Sequence, residues 1–449
     1  MKILHVSLGN PDSHQGGLNR YCKEVVETQK RLGHEVYVLY PGSFRDGSAV
    51  SIKRTNGTNY RINNALPVAL TYGIDNPERY IMQVECIYYR AWLEGVRPDV
   101  IHVHSIQGIH LEFFEAAKEL GIRIVFTTHD YYPICFKSTL FDANRKLCSG
   151  YSPEKCALCN QGSGLSKNKQ RLMQSDFYQK IKTNKLIEKL KAQISNRMKR
   201  GNSKSVEMMI GNSIVVKDAE NSFVELNKYY NDILDCFDIV HCNSYSTLEK
   251  YITVVTPQKC KVLPITHEGL VRSVHSREKK SHFNIGYMGG ESAHKGYELF
   301  ERALDCLAQD GIINWQACFY GGSFKKVSEK QGIRHYQGYF HSDQAEEVWS
   351  KIDILVAPSQ CPETFGFIIL EALCRGIPVI ASDLYGSGYL LKDLDSRLIF
   401  DHSSADQLAK SLRWLMDGEN YEFTCKAVNN MYLHIDMTEH VKELMNIYS

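Results

Sequence analysis

The sequence holds no apolar run near the roughly 18 to 20 residues a bilayer-spanning helix needs, which excludes such a span. Its opening, Met1-Lys2-Ile3-Leu4-His5-Val6-Ser7, turns polar too early for a secretory signal. No sign of charge dominates. The formal net charge is +2, so the whole chain makes no electrostatic case for nucleic acid. The Gly-x-Gly-x-x-Gly fingerprint is missing after the first strand, which removes the reason to infer a dinucleotide. Cysteine is not scarce. Fourteen thiols without an export signal point to a reducing, cytoplasmic setting. The 449 residues are too many for one core, so two domains are expected, and 43% apolar with 23% charged residues is ordinary for a soluble globular chain.

What is present centres on residues 352–383. Ile352 to Ala357 is short and apolar, the pattern of a buried parallel strand. Pro358, Ser359 and Pro362 end it. A helix is predicted from about Gly366 to Cys374, stopped by Gly376 and Pro378, and Val379 to Ala381 is the next strand. Glu363 falls in the loop and Glu371 in the helix. A loop after the carboxyl end of a parallel strand is where open α/β sheets bind ligands. The free N–H groups of the following helix start suit a phosphate, while the two carboxylates suit hydroxyls.

The run Pro-Glu-Thr-Phe-Gly-Phe, then Leu-Glu-Ala-Leu, then Gly-Ile-Pro-Val resembles the Glu-(seven residues)-Glu signature of retaining nucleotide-sugar glycosyltransferases of family 4. The resemblance implies the GT-B architecture, two Rossmann-like α/β domains facing across a cleft. It gives Glu363 to the donor sugar and Glu371 to the ribose hydroxyls, with Thr364, Phe365 and Gly366 also counted as donor-binding. Gly16 and Gly17 fit the Gly-Gly pair that lets backbone approach the donor phosphate; a tight turn explains them equally. His129, in Thr127-Thr128-His129-Asp130 at a strand end, matches the family histidine facing the sugar, with Asp130 the second choice there; a structural His and a capping Asp are the alternative. In Gly289-Gly290-Glu291-Ser292-Ala293-His294-Lys295-Gly296, Lys295 and Gly296 match the diphosphate-gripping loop. The family's arginine is absent, Gly290 standing in its place, so the amides of Gly289 and Gly290 are expected to substitute.

The domains expected are residues 1–265, a linker at 266–282, residues 283–430, and a closing helix at 431–449 that crosses back. An insertion at about 131–205 carries two features. Cys135, Cys148, Cys156 and Cys159 can make a structural tetrahedral zinc site; reduced thiols, one disulfide or an iron–sulfur cluster stay open. From Ser166 to Lys204 the composition turns basic, with Leu186, Leu190, Ile194 and Met198 on one stripe, which suits an anionic membrane surface or a helix docked on the protein. His102 and His104 share a strand face, either as metal ligands or as a buried pair, the latter favoured for want of a third ligand. Asp393-Leu394-Asp395 reads as a turn rather than a metal site, and Pro77 to Glu94 as a helix.

The function expected is transfer of a sugar, with retention, from a nucleoside diphosphate sugar to a hydroxyl of a lipid-linked or polysaccharide-precursor acceptor, without a catalytic cofactor. The enzyme would be cytoplasmic and peripheral on the inner face of the membrane. A nucleotide-sugar epimerase and a non-catalytic, membrane-surface or zinc-organised interaction protein are the rivals, with a dehydrogenase disfavoured by the missing fingerprint.

Overall fold

The computed structural model describes residues 1–12, 16–45, 47–175, 178, 213–273, 280–322, 324, 333–340 and 344–449. Two sheets organise them. The first holds β1 (Lys2–Val6), β2 (Glu35–Pro41), β3 (Ser51–Asn56), β4 (Asn59–Asn63), β5 (Val100–Val103), β6 (Arg123–Thr127), β7 (Ile239–Cys242) and β8 (Cys260–Val262), in the order β3-β4-β2-β1-β5-β6-β7-β8. The second holds β9 (Phe283–Tyr287), β10 (Trp315–Tyr320), β11 (Arg334–Gly338), β12 (Ile354–Ala357), β13 (Val379–Ser382) and β14 (Ile399–Phe400), in the order β11-β10-β9-β12-β13-β14. Every pairing is parallel save the β3–β4 hairpin. β5, β7, β12 and β13 are buried throughout, which is why they read as short apolar runs rather than alternating ones.

Both sheets reverse winding direction beside their first strand, between β1 and β5 and between β9 and β12. Such switch points splay successive loops apart and leave a crevice at the strand ends. The loop after β9 carries Lys295, and the loop after β12 carries Glu363. Topology therefore brings these two loops side by side.

The closing helix Met437–Tyr448 lies against the opening helix Gly17–Arg31 of the first sheet's domain. The Tyr21 hydroxyl meets His440 Nε2 at 2.8 Å, and the Gln29 amide donates to the Tyr448 hydroxyl at 3.1 Å.

Several local expectations change. Residues 77–94 are not one helix: a 3₁₀ turn at Pro77–Tyr80 is separated from a helix at Cys86–Val96. Asp395 caps a 3₁₀ turn by accepting from the Arg397 amide, and Arg397 pairs with its carboxylate, so Asp393-Leu394-Asp395 closes a short helix instead of forming a free turn. The basic stripe from Leu186 to Met198 lies outside the described residues. No described helix is long and apolar enough to cross a membrane.

Candidate active site

Gly366 begins the site. It holds φ at 88°, the left-handed region, and a Cβ there would collide with the Tyr385 ring. Only glycine fits, and the turn aims the start of helix Phe367–Cys374 into the crevice. Gly296 acts likewise in the facing loop. Its φ is 78°, and a Cβ would overlap the Pro358 carbonyl. The two loops thus close on each other, and Lys295 Nζ reaches Glu363 Oε1 at 2.5 Å. The Ser359 hydroxyl donates to the same oxygen at 3.2 Å. Burial acts to lower the Lys295 ammonium pKa, but the Glu363 charge and hydrogen bond outweigh it and hold it above its usual range.

Lys295 and Glu363 line a cavity of about 210 Å³, closed by Tyr287, Tyr385, Phe367 and Gly289. Gly366, Phe367 and Ile368 form part of its wall, so the positive end of the helix dipole faces it. A cation, a carboxylate and a helix start meet in one crevice. The first can neutralise a leaving diphosphate, the second can bind a sugar, and the third can take an anion.

Glu371 lies on the same helix but outside this cavity. Its carboxylate faces the other domain, 3.2 Å from His267 Nε2 and 4.0 Å from an Arg20 nitrogen. Gly17 stands opposite, where a Cβ would lie 3.7 Å from the Phe367 ring. Gly16 holds φ at 119° and starts helix Gly17–Arg31, so two helix starts confront each other.

His129 and Asp130 stand across from the signature loop. The Thr364 hydroxyl donates to the His129 carbonyl at 3.0 Å, and the Ser244 hydroxyl donates to the Thr364 carbonyl at 2.6 Å. Thr364 is thus engaged in joining the domains. Burial, and then the neighbouring His241, push the His129 imidazole down to about 3. Burial raises the Asp130 carboxyl to about 6, opposed by bonds from the Tyr132 amide and from Gln107.

Three expectations need correction. The Phe365 ring is not a ligand-facing group: the residue is 2% exposed and packs in the core beside Phe367, so any part in donor binding falls to its backbone. Gly290 cannot offer its amide to a phosphate, because that N–H donates to the Tyr320 carbonyl at 3.1 Å. A Cβ on Gly290 would also sit 2.7 Å from the Gly321 carbonyl; glycine is needed there for loop packing. His102 and His104 do have a third histidine nearby. The described donor atoms that gather in threes within 4.8 Å are His5–His102–His104 and His434–Glu439–Glu443.

The cysteines form no such set. Cys156 and Cys159 lie on helix Pro153–Asn160, and all four thiols are free. Burial raises Cys156 to about 11, helped by the charges of Cys135, Cys148 and Cys159. Burial likewise raises Cys135, while amides of Lys137, Leu140 and Thr139 hydrogen-bond its sulfur and oppose the rise.

Arg20, His267, Ser244, Ser359 and Tyr385 also belong to this region, and the sequence did not single them out. Each lies outside the Glu-(seven residues)-Glu run or has no spacing relation to it. The one available signal was for Ser244, Ser359 and Tyr385, which sit just after β7, β12 and β13.

Comparison with known proteins agrees with this geometry. Residues 273–431 match the family described as Glycosyl transferases group 1, and residues 15–154 match Glycosyltransferase Family 4. An uncharacterised 42.6 kDa protein in the cps region of Klebsiella pneumoniae is 21% identical over 342 residues, covering 76% of this chain and 72% of that one. Sulfoquinovosyl transferase SQD2 of Arabidopsis thaliana is 28% identical over 158 residues, covering 33% of this chain and 29% of that one. Among solved structures, WaaG, a glycosyltransferase involved in lipopolysaccharide biosynthesis, superposes with TM-score 0.56 at 13% identity, over 100% of this chain and 99% of that one. HepE from Anabaena, solved with UDP-glucose, gives 0.52 at 13% identity, over 99% and 98%. With both halves matched and both sheets in place, the chain belongs to the group 1 glycosyltransferases and is a transferase of GT-B fold.

Proposed function

We propose that the chain is a retaining glycosyltransferase that takes a sugar from a nucleoside diphosphate donor and places it on a hydroxyl of a glycan or lipid-linked acceptor. The observation that carries this reading is the Lys295–Glu363 pair at the switch point of the second sheet. With no donor, the ammonium and carboxylate satisfy each other. A donor diphosphate would draw Lys295 to itself, where its charge offsets the charge growing on the leaving group. Glu363 would then turn to the sugar hydroxyls, and Glu371 to the ribose. The leaving phosphate can take the acceptor proton, so no separate base is required.

A structural neighbour solved with UDP-glucose supports a uridine nucleotide as the first donor class to test. A relative from Propionibacterium freudenreichii named as a phosphatidyl-myo-inositol mannosyltransferase, 29% identical over 117 residues, together with the basic segment, favours a lipid-linked acceptor at an anionic surface. A nucleotide-sugar epimerase would instead turn over donor with no acceptor present.

A structural zinc on Cys135, Cys148, Cys156 and Cys159 is part of the same proposal. Four thiols suit zinc chemically, and a bound cation would offset the burial that otherwise holds the Cys135 and Cys156 thiols protonated. The spacing of the four sulfurs does not yet make a cage. The zinc's role would be to hold a segment with little core of its own, away from the transfer chemistry.

The test is binding and turnover of a panel of nucleoside diphosphate sugars, wild type beside Glu371→Ala and Glu363→Ala. One donor bound by wild type, weakened by the first variant and not turned over by the second, supports the reading. Absence of binding by every donor overturns it.

A further inference from the structure

His129 is the end of a continuous chain of eight hydrogen bonds buried beneath the first sheet's strand ends. His129 Nε2 meets His104 Nδ1 at 3.2 Å, and His104 Nε2 meets His5 Nδ1 at 2.9 Å. His5 Nε2 meets Gln29 Oε1 at 2.7 Å, and Gln29 Nε2 meets the Tyr448 hydroxyl at 3.1 Å. That hydroxyl meets His102 Nδ1 at 2.6 Å, and His102 Nε2 meets the Thr127 hydroxyl at 2.7 Å. The Thr127 hydroxyl meets His241 Nδ1 at 2.8 Å, and His241 Nε2 ends on the Leu263 carbonyl at 2.7 Å.

The direction of this chain can be worked out from its far end. A carbonyl can only accept, so His241 Nε2 carries the proton. Burial keeps these imidazoles neutral, so His241 Nδ1 is bare and takes the Thr127 proton. Thr127 must then accept from His102 Nε2, and His102 Nδ1 takes the one proton of Tyr448. With its proton spent, Tyr448 can only accept from Gln29, which turns the amide nitrogen toward it and the amide oxygen toward His5. The same logic then runs through His5 and His104. Each donates through Nε2 and accepts at Nδ1. His129 therefore carries its proton on Nε2 and leaves Nδ1 as a bare acceptor.

We propose that the Leu263 carbonyl and the Tyr448 hydroxyl set the tautomer of His129, with Gln29, His5 and His104 as positioning residues that transmit it. On the proposed donor role of His129, the bare Nδ1 takes a hydrogen bond from a hydroxyl of the donor sugar. The closing helix thereby has a part in the site from a distance: its Tyr448 is supplied by the chain's end to the domain of its beginning.

The experiment is NMR of protein labelled with 15N-histidine, reading the tautomer of each ring in the donor-free enzyme, with signals assigned by single His→Gln variants. His5, His102, His104, His129 and His241 are all expected as the Nε2–H form. A wild-type His129 in the Nδ1–H form overturns the proposal. Tyr448→Phe is the second variant. It removes the link that turns Gln29, so second signals for the Nδ1–H form are expected at His5, His104 and His129, while His241, still held by Leu263, keeps its form. A general loosening of the fold would disturb His241 as well. Unchanged signals at all of His5, His104 and His129 in Tyr448→Phe also overturn the proposal. Donor KM is read in parallel and is expected to rise as the inverse of the remaining Nε2–H fraction of His129, about 2-fold where the two forms are equal. A KM unmoved while the tautomers shift as described would leave the relay standing and refute the donor contact of His129.

Discussion

Lys295 Nζ and Glu363 Oε1 lie 2.5 Å apart although 68 residues separate them in the chain. Each is the other's counter-ion at the crevice floor, and each is needed elsewhere once a donor enters. Glu363→Gln keeps the shape and removes the charge. We expect kcat to fall about 10²- to 10³-fold, the cost of losing one preorganised electrostatic group at a reacting centre. Donor affinity should change far less, because Lys295 is freed for the diphosphate. Steady-state kinetics beside calorimetric donor binding check this, and a fall in affinity with kcat intact would reverse the assignment.

Glu371 meets His267 and Arg20 in place of a ribose. Glu371→Ala should weaken nucleotide binding about 10- to 100-fold, since hydrogen bonds to a charged group are worth about 1.5–3 kcal/mol. Titration with the free nucleoside diphosphate isolates this contact from the sugar. Equal affinity in wild type and variant would place the ribose elsewhere.

The buried histidines make acid stability a sharp test. Burial lowers His5 and His241 to about 4, and His110, His129 and His440 to about 3, with His102 and His104 also well below their ordinary range. The unfolded chain takes up these protons near pH 6.5, and the folded chain does so only below about 4. Stability should therefore fall as pH drops from 6.5 toward 4. His5 alone would contribute roughly 3 kcal/mol to the fall, at about 1.4 kcal/mol per unit. Asp130, raised to about 6, acts in the opposite sense, its contribution being lost as pH rises through 6. Glu112, which burial also raises, acts in the same sense as Asp130, and two carboxyls against seven imidazoles do not change the sign. Denaturant melts at pH 7.5, 5.5 and 4.5 measure the slope, and equal midpoints would contradict neutral burial.

For the cysteines, elemental analysis of purified protein should find about one zinc per chain, lost in Cys156→Ser along with several degrees of thermal stability. Metal-free protein with four thiols titratable by a thiol reagent would leave them as ordinary reduced cysteines.

Much of this molecule is written locally. Buried strands such as Ile354–Ala357 and Val379–Ser382 announce themselves as short apolar runs because both faces are covered. The helix that carries Glu371 is bounded by Gly366 and Gly376, whose left-handed φ values punctuate the chain wherever they occur. Residues 77–94 read as one helix because apolar spacing persists through a 3₁₀ turn and a break. The inward direction of the Phe365 ring was not legible, because membership of a motif does not say which side chains point inward.

The sequence by itself determined the two-sheet α/β plan, the signature helix with its two glutamates, and the loops in which Lys295 and His129 reside. Periodicity and turn chemistry act over a few residues, so these features survive without knowledge of the rest. Only the tertiary structure decided that Lys295 meets Glu363, that Gly290 spends its amide on Tyr320, and that Glu371 faces Arg20 and His267. It alone joined His5, Gln29, His102, His104, Thr127, His129, His241 and Tyr448 into one line. Those contacts come from segments far apart in the chain, and they form because a parallel sheet sets its strand ends side by side and the closing helix packs back across them. No local pattern carries that information.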